Sequence, residues 1–405
     1  MTDARLYLFD DHRGRRWAPF TLTRPVGELL FGCMSLRARA ELVLERSCAG
    51  HLTRRALAGF DEPGAAPAIS TDAVDADEAR ILLSSRTCLD FQSAGIPSEP
   101  ATLRVGDQIV GWVLPPGVAT PSEDALRRPE TAGLDGASVQ LKGTLLERPW
   151  DLVHRNDERL TRDIDHLWPS DDTPHGVFRV GDHALSLATG AEIEPGVHVD
   201  VRSGPIRLAE GARVEGPARL VGPLFIGEGS TVLGGQVGTS TIGPVCLVRG
   251  EVAHSVLLGF VNKAHDGHLG HAMVGRWVNL GAFTTNSDLK NNYGSVRVWS
   301  PDGEIDTGLL KVGCFLGDHV KTGIGTVINT GTVIGAGSNV YGGLMPPTVI
   351  PPFSWGAGVD FRDHRLDKFF ETTERVMERR GEAFSPGVRR LLSAAWDATA
   401  GRRAL

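Results

Sequence analysis

Aliphatic side chains recur at every sixth position over a long stretch of this chain. The first run of these residues is Leu208, Val214, Leu220, Ile226 and Val232. The same spacing returns in a second run, made of Leu316, Thr322, Ile328, Ile334 and Val340. A six-residue period predicts a parallel β-helix, a solenoid in which each coil turns an aliphatic side chain into one continuous core. Ile193 and Val199 are also six apart and predict where the solenoid begins.

The part of the chain before residue 170 has a different pattern. Short apolar runs at residues 6–9, 81–83 and 108–114 predict buried strands, and residues 28–46 and 157–167 predict helical segments. Strands that alternate with helices indicate an open α/β sheet. A loop rich in proline and aspartate at residues 169–174 predicts the end of this first domain.

After Trp355 the apolar residues take up the three- and four-residue spacing of amphipathic helices. Two such helices are predicted, and their apolar faces need a partner. They either cap the open end of the solenoid or pack between subunits. Three domains follow from these patterns: an α/β domain over 1–170, the β-helix over 171–360 and a helical tail over 361–405.

The composition excludes several classes of protein. Among 405 residues there are 50 glycines and 24 prolines, which suits a solenoid with many turns, and the net charge of −7 argues against a nucleic-acid surface. No run approaches the ~18 apolar residues of a membrane span. The five cysteines form no CxxC pair, and the N-terminus has no signal-peptide pattern. A cytoplasmic protein without nucleic-acid or membrane partners is expected.

Between the two aliphatic runs, residues 251–310 lose the strict period and become rich in histidine and asparagine. A Pro-Asp-Gly turn at residues 301–303 predicts a small hairpin in this segment. Three histidines, His265, His268 and His271, lie within ten residues of one another, together with Lys263. A neutral imidazole is suited to accept a proton near pH 7, and transfer of an acyl group to an amine needs such a base. Two other interpretations stay open: a polar loop without chemistry, and a metal site, which lacks an evident carboxylate partner.

This segment resembles the acetyltransferase half of the bifunctional N-acetylglucosamine-1-phosphate uridyltransferase / glucosamine-1-phosphate N-acetyltransferase family. The resemblance rests on the residues from Lys263 to Gly270, on the run from Val278 to Asn286 and on Lys290. It implies a left-handed β-helix that forms a homotrimer, with acetyl-CoA as acyl donor in the groove between subunits.

The resemblance also implies roles for individual residues. His265 matches the catalytic base, with His268 as the alternative, and Asn286 lies in the catalytic motif. The residues implied to hold the sugar and its phosphate are Lys263, His268, Asn279, Asn286 and Lys290. Gly317 and Lys321, on the later coils, are implied to contact the CoA moiety.

A second motif lies near the N-terminus, in residues 16–26. Arg16, Pro19, Thr21 and Pro25 fall on the positions of a motif that sugar nucleotidyltransferases carry after their first strand, and Gly14 is the one glycine kept from its glycine-rich turn. In that family the turn holds the NTP phosphates. The resemblance therefore implies phosphate binding by the loop, with the basic side chains of Arg13, Arg15, Arg16 and Arg24 as candidates.

Nucleotidyl transfer also needs carboxylates for Mg²⁺, and Asp10 and Asp11 at the end of the first strand are candidates for this role. The chain as a whole resembles a branch of sugar nucleotidyltransferases. It is expected to acetylate a sugar phosphate and to join a sugar 1-phosphate to an NTP, as in the synthesis of UDP-N-acetylglucosamine. The alternatives are an acetyltransferase with a degenerate nucleotide-binding domain, a non-catalytic sugar-nucleotide sensor or scaffold, and a zinc enzyme of the β-helical carbonic anhydrase type.

Overall fold

The computed structural model describes residues 4–93, 95–132 and 137–402. Its first part is built on a mixed sheet of seven strands. From edge to edge the strands are Ala137–Gln140, Ala101–Val105, Gln108–Leu114, Arg80–Ser84, Arg5–Phe9, Cys48–Leu52 and Ala68–Ile69. The interior strand Arg5–Phe9 is parallel to both of its neighbours, whereas Gln108–Leu114 is antiparallel to both of its own. The open α/β sheet predicted from the sequence is confirmed.

The helices of this part are Leu36–Leu44, Glu123–Arg127, Asp151–His154 and Asn156–Leu167. The helix expected over residues 28–46 begins later than predicted, because residues 30–35 form a tight hairpin. Gly32 makes its turn at φ 70° and donates its N–H to the Asn156 side chain at 2.8 Å. The helix then starts after Ser35, whose hydroxyl accepts the N–H of Ala38 and so caps the first turn.

The second part is a β-solenoid of stacked parallel coils, as the six-residue period predicted. Two faces share one sheet of 13 strands, because the long strands Ala218–Ile226 and Gly235–Ile242 continue from one face to the next. The first face consists of the beginnings of these two strands together with Phe178–Val180, His198–Asp200, Glu251–Ala253 and His268–Gly270. The second face consists of their ends together with Leu185–Leu187, Ile206–Leu208, Val256–Leu257, Met273–Val274, Phe315–Leu316, Val333–Ile334 and Val349–Ile350. A third face consists of Glu192–Ile193, Arg213–Val214, Thr231–Val232, Leu247–Val248, Asn262–Lys263, Asn279–Leu280, Lys321–Thr322, Asn339–Tyr341, Ser354–Ala357 and Asp360–Asp363. A further pair is formed by Thr285–Asn286 and Val327–Ile328. The first strand precedes the predicted start at Ile193.

The aliphatic residues of the two runs share one buried core along the solenoid axis. Thr322 occupies an aliphatic position in this core and is 5% exposed. Its hydroxyl lies 2.7 Å from that of Thr284 and accepts the N–H of Gly281 at 3.1 Å. A buried hydroxyl is tolerated there because its hydrogen bonds are satisfied.

The coils continue through the segment where the period of six is lost. Glu251 pairs with His268 and Val256 pairs with Met273, in both cases 17 positions further on. The larger departure is an insertion that ends in an antiparallel hairpin, Arg297–Ser300 with Gly303–Asp306, as the Pro-Asp-Gly turn predicted. The histidine-rich segment is therefore part of the solenoid wall.

The two C-terminal helices, Leu366–Glu378 and Pro386–Ala398, fold back along the solenoid and also reach the first part of the chain. Phe369 and Leu392 pack with Phe353 of the last coils, and Leu391 packs with Phe60. Their apolar faces thus find partners within the same chain. None of the helices in the described ranges has the length and apolar character needed to cross a membrane.

The first part packs onto the face of the solenoid that begins with Leu185–Leu187. Trp17, Phe20 and Trp150 join an apolar cluster with Met273 and Phe315 of that face. We call this contact the seam. It places the arginine-rich loop, residues 13–26, directly against the solenoid and its inserted hairpin.

Candidate functional site

The histidine-rich segment begins in one solenoid strand and ends after another. Lys263 closes the strand Asn262–Lys263, and His268 opens the strand His268–Gly270. The corner between them carries His265, whose side chain is exposed. His265 is therefore accessible to a substrate from solution.

Asp288 brings two of the predicted histidines together. His271 Nδ1 lies 2.7 Å from Asp288 Oδ2, and His268 Nε2 lies 3.9 Å from the same oxygen. His268 Nδ1 is also 3.4 Å from Glu251 Oε1. A carboxylate that accepts the Nδ1–H of a histidine fixes the orientation of that ring and the tautomer of its neutral form.

The charged groups of this cluster shift one another's pKa values. Asp288, supported by Glu251, raises the pKa of His268 above its ordinary value. His268 and His271 in turn lower the pKa of Asp288. His254 stacks on His271 with ring centroids 4.6 Å apart, and its pKa is lowered by burial and by the neighbouring His271. Within one cluster, the pKa values of His254 and His268 are thus shifted in opposite directions.

Gly270 is required for this arrangement. A Cβ added there would lie 2.4 Å from His268 Nε2 and 2.6 Å from Asp288 Oδ2, both too close. Any side chain at this position must displace the histidine or the carboxylate.

Several other predicted site residues already form hydrogen bonds with neighbouring groups of the protein. Asn286 is 4% exposed, and its amide accepts the N–H of Gly270 at 2.8 Å and donates to the Gly270 carbonyl at 2.9 Å. Asn279 accepts a hydrogen bond from Asn262 at 2.7 Å, and Lys290 Nζ donates to the Ser295 carbonyl at 2.6 Å. Asn286 thereby binds the backbone of the strand that His268 opens, and all three side chains are engaged by neighbouring groups of the protein.

Lys263 is buried beneath the histidine corner. Its Nζ donates to the carbonyl of Arg249 at 2.8 Å and to that of His265. Burial lowers the pKa of Lys263 to about 8, against the weaker effect of Asp266. The lysine therefore holds the backbone that presents His265.

The predicted CoA contacts, Gly317 and Lys321, lie within the stack of coils. A Cβ on Gly317 would lie 2.6 Å from the N atom of Ala336, so the glycine permits the next coil to approach. Lys321 Nζ is buried and has no hydrogen-bond partner within the described ranges. The predicted role of these two residues in binding acetyl-CoA stays a prediction.

The two aspartates predicted as Mg²⁺ ligands are buried at the end of the strand Arg5–Phe9. Asp10 accepts the hydroxyl of Thr53 at 2.6 Å and the N–H of Val26 at 3.2 Å. Asp11 forms an ion pair with Arg86 at 2.7 Å and accepts the N–H of Gly14. Carboxylates occupied in this way do not fit a pair of Mg²⁺ ligands. In the described ranges, no group of three or more histidine, cysteine, aspartate or glutamate side chains is arranged to hold a metal ion.

Arg24, predicted to stabilise phosphate, instead connects the first part to the solenoid. Its guanidinium is 2.8 Å from both Glu62 and Asp318 and is 2% exposed. Burial alone would lower the pKa of Arg24, but the two carboxylates raise it. A guanidinium paired in this way offers little to a phosphate.

Arg13 and Arg16 remain accessible and line a cavity of about 260 Å³ at the seam. We call it the basic cavity. Arg148 also lines it, and its aromatic walls are Trp17, Trp150 and Trp299. Arg16 forms an ion pair with Asp302 of the hairpin, and Arg13 forms one with Glu147. Guanidinium groups beside indole rings suit a ligand that carries both phosphate and an aromatic base.

Sequence reasoning missed several residues of these sites. Asp288 and His254 lie outside the histidine run and reach it because successive coils stack. Trp150 and Trp299 are far from the arginine-rich loop in sequence and meet it at the seam. The coil register would have identified Asp288, because it lies 17 positions after His271, one coil length further on.

Comparison with known proteins gives matches to parts of the chain. Over 95 residues the chain is 34% identical to a bifunctional sugar-1-phosphate nucleotidylyltransferase/acetyltransferase from Sulfurisphaera tokodaii, which covers 24% of each protein. The chain thus spans about a quarter of the length of this curated relative.

Two solved structures show low overall similarity. An Arabidopsis UDP-N-acetylglucosamine acyltransferase matches with 11% identity and a TM-score of 0.25, over 56% of this chain and 90% of that one. Another UDP-N-acetylglucosamine acyltransferase matches with 12% identity and a TM-score of 0.19, over 57% and 91%. The N-terminal part of the chain, residues 6–170, matches the model of a family described as sugar nucleotidyl transferase.

Proposed function

We propose that the protein is a two-part transferase that acts on sugar phosphates. The solenoid acetylates an amino group of a sugar phosphate, and the N-terminal part joins a sugar 1-phosphate to an NTP. The observation that carries the proposal is the pairing of His268 and His271 with Asp288, next to the exposed His265. The family match of residues 6–170 and the bifunctional relative support the same combination.

The proposed acyl transfer uses His265 as the base. As the amine nitrogen attacks the thioester carbonyl of acetyl-CoA, His265 accepts a proton from that nitrogen. The new C–N bond forms, the C–S bond breaks, and His265 gives its proton to the departing sulfur, so that CoA leaves as its thiol. His268, whose pKa is raised, carries more positive charge near neutral pH than an ordinary histidine and suits the sugar phosphate.

In the N-terminal part, Arg13 and Arg16 of the basic cavity are proposed to hold the NTP phosphates, with UTP as the first candidate. Asp10 and Asp11 are not arranged to hold the Mg²⁺ that nucleotidyl transfer needs, because both carboxylates are engaged by other groups of the protein. If the N-terminal part binds nucleotide without turnover, the protein is an acetyltransferase with a nucleotide-binding domain. This is the second candidate function.

The assay that tests the proposal uses purified full-length protein with glucosamine 1-phosphate and acetyl-CoA, and reads release of the CoA thiol. UTP and Mg²⁺ are then added and pyrophosphate is read. We expect thiol release to fall about 10²- to 10⁴-fold in His265→Ala. The matched control is His183→Ala, another exposed histidine of the solenoid, which should keep wild-type turnover.

Each outcome of the assay has a meaning for the proposal. Release of the CoA thiol, followed by release of pyrophosphate after UTP is added, supports a two-step enzyme. Thiol alone supports the second candidate. If neither product appears with this or other amino-sugar phosphates, the protein is not a transferase of this kind, and a sensor or scaffold role takes its place. Unchanged turnover in His265→Ala would transfer the role of base to His268.

We further propose that the solenoid associates as a homotrimer in the cytoplasm. Several large apolar side chains of its later coils are exposed, including Phe283, Ile324 and Leu344, at 64%, 73% and 58%. Exposed apolar side chains on neighbouring coils suit a contact with a second copy. Sedimentation of the purified protein as a monomer at micromolar concentration would contradict the trimer.

A further inference from the structure

A second cavity follows the arginine-rich loop along the seam. It has a volume of about 300 Å³ and shares Ala18 and Trp299 with the basic cavity. We call it the seam cavity. Its walls are mainly apolar, and the residues that form them include Pro19, Leu22, Val333, Val349, Ile350 and Pro352. A cavity of this size with apolar walls is typical of small-molecule sites when a few polar groups converge on it.

Two arginines supply the polar groups. Arg15 and Arg54 both line the seam cavity, and Arg54 donates a hydrogen bond to the backbone carbonyl of Arg15. Arg15 has a partner, the exposed Glu123 at 2.7 Å. For Arg54, no carboxylate of the described ranges lies within ion-pairing distance, and its Nε atom has no hydrogen-bond partner there. The nearby carboxylate of Asp10 is occupied by Thr53 and Val26.

The environment of Arg54 disfavours its charge. Burial lowers the pKa of Arg54, and the positive charge of Arg15 lowers it further, against the attraction of Asp10. A partly buried guanidinium without a counter-ion is costly, and an anion placed beside it relieves that cost. Two guanidinium groups at one cavity suit a carboxylate or a phosphate, because each presents a planar set of donors.

We infer that the seam cavity binds a small amphiphilic anion. Its carboxylate or phosphate group contacts Arg54 and Arg15, and its apolar body lies against Pro19, Leu22 and Ile350. At about 30 Å³ for each water molecule, the cavity holds on the order of ten waters, which is room for a body of similar size. The site differs from the histidine cluster and from the basic cavity, so it rests on neither proposed reaction.

The position of the cavity gives the ligand a role. Its walls come from the loop of the first part, from the late coils of the solenoid and, at Thr399, from the C-terminal helical region. A ligand there contacts all three parts at once. Its binding therefore stabilises the docked arrangement of the N-terminal part on the solenoid.

The test measures binding of octanoate to the full-length protein by calorimetry. We expect one site per chain, with affinity at least 10-fold higher than that for octanol, which lacks the charge, or for inorganic phosphate, which lacks the apolar body. Arg54→Leu should weaken octanoate binding at least 10-fold. The matched control is Arg55→Leu, because Arg55 is exposed, adjacent and outside the cavity walls.

Several results would overturn the inference: octanol binding as tightly as octanoate, Arg54→Leu binding octanoate like the wild type, or no octanoate binding at all. If Arg54→Leu fails to fold, the comparison of octanoate with octanol on the wild-type protein decides alone, and Arg54→Lys should retain part of the affinity. Octyl phosphate measured beside octanoate distinguishes a phosphate site from a carboxylate site.

Discussion

At the level of single residues, the chemistry proposed for the solenoid depends on the carboxylate of Asp288. It is 2.7 Å from His271 and 3.9 Å from His268, so its charge orients one imidazole and raises the pKa of the other. A histidine in such a setting acts differently from an isolated one, because its tautomer and charge are set by a neighbour.

Asp288→Asn removes this charge while keeping the size of the side chain. We expect the pKa of His268 to fall toward its ordinary value of 6.5, because the largest contribution to the upward shift is lost. NMR titration of the histidine ring protons measures it. The control is Asp266→Asn, an exposed aspartate of the same corner. An unchanged titration of His268 in Asp288→Asn would show that the pairing does not form in solution.

Lys321 gives a prediction about stability. Burial lowers its pKa to about 8 from 10.5, and its Nζ has no partner in the part of the chain that is described. Between pH 8 and 10.5 the unfolded chain thus binds more protons than the folded protein does. The buried charge of Lys321 therefore destabilises the folded state most below pH 8, and this destabilisation disappears above pH 10.5. Lys321→Met should stabilise the protein by about 2 kcal/mol at pH 7 and by much less at pH 10.

Urea unfolding at the two pH values measures this effect. The control is Lys311→Met, at an exposed position, which should change the free energy of unfolding little at either pH. A gain in Lys321→Met that is absent at pH 7, or equal at both pH values, would contradict the buried, unpaired charge.

At the level of elements, the solenoid coils and the C-terminal helices stabilise each other through apolar side chains. Phe369 of the helix Leu366–Glu378 is 3% exposed and contacts Phe353 of the last coils, with ring centroids 5.3 Å apart. It also lies 5.5 Å from His364 by the same measure. The helix is therefore part of the fold of the solenoid rather than a flexible tail.

Phe369→Ala should destabilise the protein by about 3–5 kcal/mol, the usual cost of removing a buried phenylalanine. Phe283→Ala is the matched control, because Phe283 is 64% exposed in the single chain and should change the free energy of unfolding by less than about 0.5 kcal/mol. Chemical denaturation of both variants at low protein concentration measures the difference. Equal effects would mean that the helix is not docked as described.

At the level of the whole molecule, the seam joins the first part to the solenoid through an apolar cluster and ion pairs. The ion pairs differ in burial. Arg24 and Asp318 are 2% and 5% exposed, whereas Arg16 and Asp302 are 31% and 48% exposed. Both pairs join the arginine-rich loop to the solenoid, so they form a natural comparison.

Asp318→Asn should destabilise the protein by about 3 kcal/mol, because Arg24 loses a buried counter-ion. Asp302→Asn should cost less than about 1 kcal/mol, because its pair is exposed to solvent. Burial alone would raise the pKa of Asp318, but Arg24 lowers it below its ordinary 3.8, so this stabilisation is present above that pH and is lost in stronger acid. Calorimetric unfolding of both variants at pH 7 and pH 3 tests the difference between the two pairs and its dependence on pH. Equal losses of stability in Asp318→Asn and Asp302→Asn at pH 7 would contradict the buried pair.

The amino-acid sequence by itself determined the solenoid, its core residues, the α/β character of the first part, the hairpin and the two C-terminal helices. These features follow from local periodicity, because a solenoid repeats the same contact at each coil and an amphipathic helix shows its buried face every three or four residues. The histidine-rich segment and the arginine-rich loop were visible for the same reason, since their residues are neighbours in sequence.

The tertiary structure alone decided which of these residues meet. Asp288 joins the histidines because successive coils stack, and Arg24 pairs with Asp318 because the first part docks on the solenoid face. The same docking creates the basic cavity and the seam cavity. Contacts across the seam join residues far apart in the chain and depend on how the two parts pack, and no local pattern records them. The sequence therefore revealed the candidate chemistry, and the fold determined which groups are free and which are already paired.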